Sequence, residues 1–282
     1  MKTLAIVICY RPEPELLLRS VDSYAYQVNK LLVWRNSFLP EDLEHKLSDR
    51  FKAEFRGNGT NVGISTALNA AWKEAADGGY DCLLTMDQDS VWHDFDAYLA
   101  QASANGLSMC FYSPLPIMMG ETPVPESQSL FAPVETAITS GMLIPTSVIN
   151  LVGGWDNSFK IDAVDLEFCL HARALGATCW RCGAGWLEHR LGDRRRASFL
   201  GMRFYIYNYS PERLYGIYRN YIIAFRRYKG AISQKARYSF ARTWIRRTPI
   251  RILLGEDNKK AKFLAIFRGI RDGIKHQSNP GH

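Results

Sequence analysis

A chain of 282 residues with 47% apolar and 22% charged side chains buries a core of its own, which excludes a disulfide-stapled miniprotein and a disordered tail. Its formal charge of +7 hides a split: residues 1–189 carry 13 Lys and Arg against 23 Asp and Glu, and residues 190–282 carry 22 against 5, so −10 is joined to +17. The acidic body argues against a protein that wraps a polyanion along its length, while the basic end suits something anionic, a membrane surface or nucleic acid.

In chain order, Met1 to Cys9 is too short for a secretory signal and reads as a buried first strand. The chain is therefore expected in the cytoplasm, with Cys9, Cys82, Cys110, Cys169, Cys179 and Cys182 reduced. Short apolar runs at 3–9, 30–35, 51–56, 81–86 and 107–112 predict strands, and the stretches 13–27, 41–48, 64–77 and 93–104 predict helices. This alternation is the pattern of stacked β-α units on a largely parallel sheet. Five prolines between 113 and 133 predict a loop, and the uncharged stretch Thr136 to Trp155 predicts a strand, a turn and a short helix. A helix follows at 162–175, then apolar runs at 177–180 and 184–187, and from 211 onward the chain reads as basic, aromatic-rich helices broken at 249–258.

Several side-chain groupings could carry chemistry. Met86-Asp87-Gln88-Asp89-Ser90 ends an apolar run, and two carboxylates at i and i+2 in extended backbone share a side, either as a clamp for Mg²⁺ or Mn²⁺ or as acids of a solvated turn. Gly57 to Gly63 has neither the spacing nor the acid of a dinucleotide fingerprint. Cys169, His171, Cys179 and Cys182 can be drawn as zinc ligands, but residues at i and i+2 diverge on a helix, so buried free thiols are the better reading. Asp162 fits a helix N-cap. Asp165, at the border of an apolar stripe with Phe168, Ala172 and Leu175, reads equally as a structural acid or a general base. His189 is followed closely by Arg194-Arg195-Arg196, a solvated run or a partner for diphosphate.

Ile8-Cys9-Tyr10-Arg11-Pro12, Asn61-Val62-Gly63 through Asn69, Asp87-Gln88-Asp89-Ser90, Ser140-Gly141 with Gly153-Gly154-Trp155-Asp156, Phe159 to Phe168, Glu188-His189-Arg190 and Tyr209 to Asn220 occur in this order. Together they resemble the family 2 glycosyltransferases of GT-A fold, within them the bacterial rhamnosyltransferase-like group, over most of residues 3 to about 225. The resemblance implies a GT-A α/β fold, Rossmann-like with a mostly parallel central sheet and flanking helices, plus a basic helical C-terminal segment. It implies a catalytic domain over 1–210 and the basic segment over 211–282. It further implies donor contacts at Cys9, Tyr10, Arg11, Asn36, Asn61, Gly63, Asn69, Asp87 and Gln88. Mg²⁺ or Mn²⁺ would be held by Asp87, Asp89 and His189, and Asp165 would be the catalytic base.

The implied activity is inverting transfer of a sugar, first L-rhamnose from dTDP-L-rhamnose, to a saccharide acceptor, lipid-linked, in cell-surface polysaccharide synthesis. Two departures bear on detail: Arg35 stands where the family commonly has an acid that reads the base, and Tyr209 where the subgroup often has His. The rival readings are a nucleotidyltransferase acting on a sugar phosphate and a non-catalytic nucleic-acid- or membrane-binding scaffold. Nucleic acid is not expected as a partner. In the last helix, 259–275, Phe263, Ile266, Phe267, Ile270 and Ile274 form one stripe flanked by Lys259, Lys260, Lys262, Arg268, Arg271 and Lys275. That stripe either packs on the body or a second copy, or lies on an anionic membrane at its inner face.

Overall fold

Strand β1 (Thr3–Cys9) lies between two parallel neighbours, β2 (Lys30–Arg35) and β4 (Cys82–Asp87), and Leu4 to Val7 are completely buried. A continuous apolar run, rather than an alternating one, is what a parallel strand needs when helices cover both faces of its sheet. The computed structural model describes residues 1–106, 108–121, 123–124, 130–190, 195–199 and 202–276, with backbone alone at 195–199 and 202–203. The sheet runs β3 (Glu54–Arg56), β2, β1, β4, β8 (Met142–Pro145), β6 (Cys110–Met118), β9 (Thr178–His189), β5 (Val91–His93), and β7 (Phe131–Val134) also pairs with β9. The first four strands in this order are parallel, and β8 then reverses direction against β4. Helices α1 (Pro14–Asp22), α2 (Glu41–Phe51), α3 (Ile64–Asp77), α4 (Phe95–Ala104), α5 (Thr146–Val152) and α6 (Val164–Ala174) complete this α/β body. Val7, Leu17, Leu43, Leu84, Tyr98 and Leu143 belong to one core cluster.

Three expectations are corrected. The region 113–133 is not all loop, because β6 continues through Pro114 and Pro116 to Met118 and β7 begins at Phe131. Beyond Tyr112, the residue that pairs with β8, β6 is paired to β9 alone, so the missing proline N–H groups can be accommodated on an unpaired side. The runs 177–180 and 184–187 are one strand, β9, carried through Arg181, whose Nε donates to Ser113 Oγ at 3.1 Å. At 51–56 the helix persists to the buried Phe51, Lys52 closes it at φ 55°, and only 54–56 is strand.

The chain divides into two compact units, residues 1–160 with 164–190, and residues 161–163 with 191–282. The second holds the antiparallel hairpin β10 (Arg195–Phe199) and β11 (Met202–Ile206), then α7 (Pro211–Arg227), α8 (Gln234–Phe240), a π-helical stretch Ala241–Arg247, α9 (Thr248–Gly255) and α10 (Lys259–Lys275). Ser210 caps α7 by accepting from the Arg213 N–H at 3.2 Å, and Pro211 takes the first turn, where no N–H partner is needed. Leu214, Ile217, Tyr218, Ile252 and Ile266 form the core of this unit. Asp162 is not an N-cap: at φ 57° its carboxylate pairs with Arg213, Nη2 to Oδ1 at 3.1 Å.

Candidate active site

Parallel strands deliver their C-terminal ends to one edge of the sheet, the usual place for a ligand in an open α/β layer. Here the loops after β1, β2 and β4 are stitched together by side chains. Gln88 bonds Tyr10 through both ends of its amide: the Tyr10 N–H donates to Oε1 at 2.7 Å and Nε2 donates to the Tyr10 carbonyl at 3.1 Å. The Arg11 N–H, at φ 49°, donates to Ser37 Oγ at 2.6 Å. Asn36 Oδ1 accepts from the Val62 N–H at 2.9 Å, and Asn61 Oδ1 accepts from the Gly63 N–H at 3.0 Å. Tyr10 is left 44% exposed with the Arg11 guanidinium 5.3 Å from its ring centre. Cys9 turns its thiol into the core, where burial pushes its pKa up, and only its backbone meets the loops. Arg35 is also engaged, donating from Nε to the Gly57 carbonyl at 3.1 Å and from Nη1 to Glu44 at 3.2 Å.

Strand β4 ends at Asp87, and Asp89 belongs to the turn that follows, so the turn rather than strand alternation sets where the two carboxylates point. The Asp87 N–H donates to Ser140 Oγ at 3.1 Å. Burial, and then the charge of Asp89, push the Asp87 carboxyl up to about 7. Asp89 is also raised by burial, opposed by the positive charges of His189 and Arg190. His189 is lowered by burial, opposed by Asp89 and Asp165. Two poorly hydrated carboxylates that repel each other favour a bound cation. Pairing of β5 with β9 sets Val91 opposite Glu188, and the adjoining Ser90 Oγ lies 3.0 Å from His189 Nδ1. Ser90 is itself completely buried, its carbonyl accepting from Ser20 Oγ at 2.6 Å.

Asp165 stands in the first turn of α6, half-buried, with Oδ1 accepting from the Leu166 N–H at 2.8 Å. The positive end of a helix favours a carboxylate there. The approach to this helix is fastened to α3: the Ile64 N–H donates to the Lys160 carbonyl at 2.8 Å and Ser65 Oγ donates to that of Phe159. Gly63, at φ +86°, is required because a Cβ would lie 2.9 Å from the Lys160 carbonyl oxygen. Asn69 brackets Trp155, accepting from its N–H at 2.8 Å and donating to its carbonyl at 2.7 Å, so its amide serves the turn beside the site.

No known-family profile matches the chain. It is 26% identical over 246 residues, 79% of either sequence, to the dTDP-rhamnosyl transferase RfbF of Shigella flexneri. The fold superposes on S. aureus TarS 1-349 in complex with UDP-GlcNAc with a TM-score of 0.62 at 15% identity, covering 96% of this chain and 81% of that one. It superposes on GalNAc-T7 with UDP, GalNAc and Mn²⁺ with a TM-score of 0.59 at 11% identity, covering 98% of this chain and 56% of that one. The chain has the GT-A fold of these glycosyltransferases.

Asp87, Asp89 and His189 are of the ligand types that Mg²⁺ or Mn²⁺ accepts when phosphate oxygens and water complete the shell. Among the described residues no three His, Cys, Asp or Glu side chains are gathered tightly enough to hold a metal by themselves. Mg²⁺ characteristically takes one or two protein carboxylates and completes its shell with phosphate oxygens and water. All six cysteines are free thiols, and the neighbouring Cys179 together with burial pushes the Cys169 thiol pKa up. The basic run beginning at Arg194 falls outside the described side chains. A cavity of about 480 Å³ lined by Pro133, Glu135, Cys169, Arg173 and Thr178 shares no residue with the carboxylates. Sequence reasoning placed Ser90 and Ser140 in motifs but gave their hydroxyls, and that of Ser20, no role. Ser90 Oγ meets His189, Ser140 Oγ accepts from the Asp87 N–H and Ser20 Oγ donates to the Ser90 carbonyl, partners far along the chain that local pattern does not reveal.

Proposed function

We propose that this glycosyltransferase moves L-rhamnose from dTDP-L-rhamnose to a lipid-linked saccharide, with inversion at the anomeric carbon, in the assembly of a cell-surface polysaccharide such as O-antigen. The observation that carries the reading is the 3.0 Å contact of Ser90 Oγ with His189 Nδ1, which ties that histidine to the turn bearing Asp87 and Asp89. The likeness to RfbF supports the choice of sugar, and the UDP-sugar and Mn²⁺ complexes of TarS and GalNAc-T7 support a nucleotide-sugar donor with a divalent ion. Residues 1–210 are assigned the donor and the chemistry, and 211–282 the side facing the inner surface of the membrane.

Asp87, Asp89 and His189 would hold Mg²⁺ or Mn²⁺ beside the diphosphate. When bound, the ion supplies Lewis-acid stabilisation of the leaving group's negative charge. Tyr10 and Arg11 bind the nucleoside end, on loops already fixed by Gln88 and Ser37. Asp165 takes the proton from the acceptor hydroxyl as that oxygen bonds to the anomeric carbon. The bond from that carbon to the diphosphate oxygen breaks, and its electron pair leaves with the nucleoside diphosphate. One in-line displacement inverts the centre.

The reading is tested with the purified protein and a panel of nucleoside-diphosphate sugars, following thermal stabilisation and nucleoside-diphosphate release with Mn²⁺ and with chelator. Selective stabilisation by dTDP-L-rhamnose, abolished by chelation, is expected. Selection of another sugar overturns the donor assignment, and release of pyrophosphate from a nucleoside triphosphate overturns the reaction class.

A further inference from the structure

Helix α10 (Lys259–Lys275) has two opposed faces of different chemistry. The inner face is tight: a Cβ on Gly269 would lie 2.6 Å from the Tyr215 carbonyl oxygen of α7, and one on Gly273 would lie 2.9 Å from that of Arg219. Ala265 and Ile266 are buried on this face, and so is Lys262, whose ammonium donates to Glu256 at 2.9 Å and to Asn208 Oδ1 at 2.5 Å. The stripe expected from sequence is therefore divided. Ile266 is buried and Phe263 and Ile270 half-buried, while Phe267 and Ile274 are among the most exposed apolar side chains of the protein.

The outer face follows from helical geometry. At about 100° per residue, Ile274, Phe267, Lys260, Arg271, Leu264, Lys275 and Arg268 succeed one another within an arc of about 120°, opposite the glycines. Leu264, Phe267 and Ile274 are 58%, 66% and 55% exposed. The four cations between them are exposed too; Asp272 pairs with Arg271 at 2.8 Å and also acts electrostatically on Arg268. The same unit exposes Tyr238, Ile245, Ile250 and Leu253, and the Leu253 carbonyl accepts from Lys259 Nζ at 2.7 Å.

We propose that this outer face lies in the headgroup layer of an anionic bilayer, with Leu264, Phe267 and Ile274 below the phosphates and Lys260, Arg268, Arg271 and Lys275 among them. Three features select this occupant. Large apolar groups interleaved with cations on one arc match a helix lying in the interface plane. A symmetric second copy would set the same cations against each other, which disfavours a dimer through this face. Nucleic acid would engage the cations and leave the three apolar side chains in water. Among the described residues no helix is long and apolar enough to cross a membrane, so contact by this helix is interfacial. The inference does not depend on which sugar is transferred.

The test is flotation of the full chain with vesicles of phosphatidylcholine and phosphatidylglycerol at 3:1, beside phosphatidylcholine alone, free of donor and acceptor. Binding is expected to the anionic vesicles only, and to weaken with salt. Lys260→Gln with Arg268→Gln should weaken it about 25-fold, about fivefold per cation. Leu264→Ser with Phe267→Ser and Ile274→Ser should weaken it at least about tenfold. Each variant changes exposed positions, and thermal midpoints report whether each folds; the charge pair stands as the test if the apolar triple does not. Absence of flotation, or flotation unchanged by a folded variant, overturns the proposal. So does a dimer, seen by light scattering, that the apolar triple converts to monomer without loss of vesicle binding.

Discussion

Replacing Ser90 by alanine isolates the placement of His189. Ser90 Oγ is 3.0 Å from His189 Nδ1, while the link to Ser20 runs through the Ser90 backbone carbonyl and survives the substitution. Because the site is buried, water does not readily replace the lost hydroxyl, and a polar group left without its partner costs about 1–3 kcal/mol. The same loss frees the imidazole to rotate, and removing a residue that orients a metal ligand typically lowers affinity or activity about 10–100-fold. Ser90→Ala should therefore reduce calorimetric affinity for dTDP with Mn²⁺ about 10–100-fold, equivalent to about 1.4–2.7 kcal/mol. In a His189→Ala background the same substitution should cost less than about threefold, because its target is gone. An equal loss in both backgrounds, or affinity within about twofold of the unmodified protein in the single variant, refutes the argument.

Asp165→Asn keeps shape and removes basicity, so transfer should fall about 10²–10⁴-fold while donor affinity, read by calorimetry, stays within about twofold. Asp89→Ala should remove the Mn²⁺-dependent part of nucleoside-diphosphate binding, and a variant that still gains affinity on adding Mn²⁺ sinks the clamp. Glu256→Gln leaves the Lys262 ammonium, 3% exposed, without its counter-charge, and breaking a buried pair costs about 3–5 kcal/mol. Thermal melts should show a clear drop for Glu256→Gln and recovery when Lys262→Met is combined with Glu256→Leu; equal destabilisation by the pair denies the ion pair its role.

Local pattern determined much of this protein from sequence alone. β1 and β2 and the helices at 64–77 and 259–275 were legible because run length and period depend on the segment itself. So was the Asp87-Gln88-Asp89-Ser90 turn, an acidic stop on an apolar strand. Tertiary structure decided the rest wherever a residue's role depends on a partner far along the chain. Asn36, Asn69 and Gln88 read as donor contacts, yet their amides are bonded to the backbones of Val62, Trp155 and Tyr10. Pro114 and Pro116 read as loop until pairing with β9 alone gave their strand a place. Lys262 read as a surface cation until Glu256 and Asn208 converged on it. The single apolar stripe read on α10, whose partner the sequence left open, is divided between two faces in the structure. At Gly269 and Gly273 the absent side chain is what lets α7 approach, and that approach turns Phe267 and Ile274 outward.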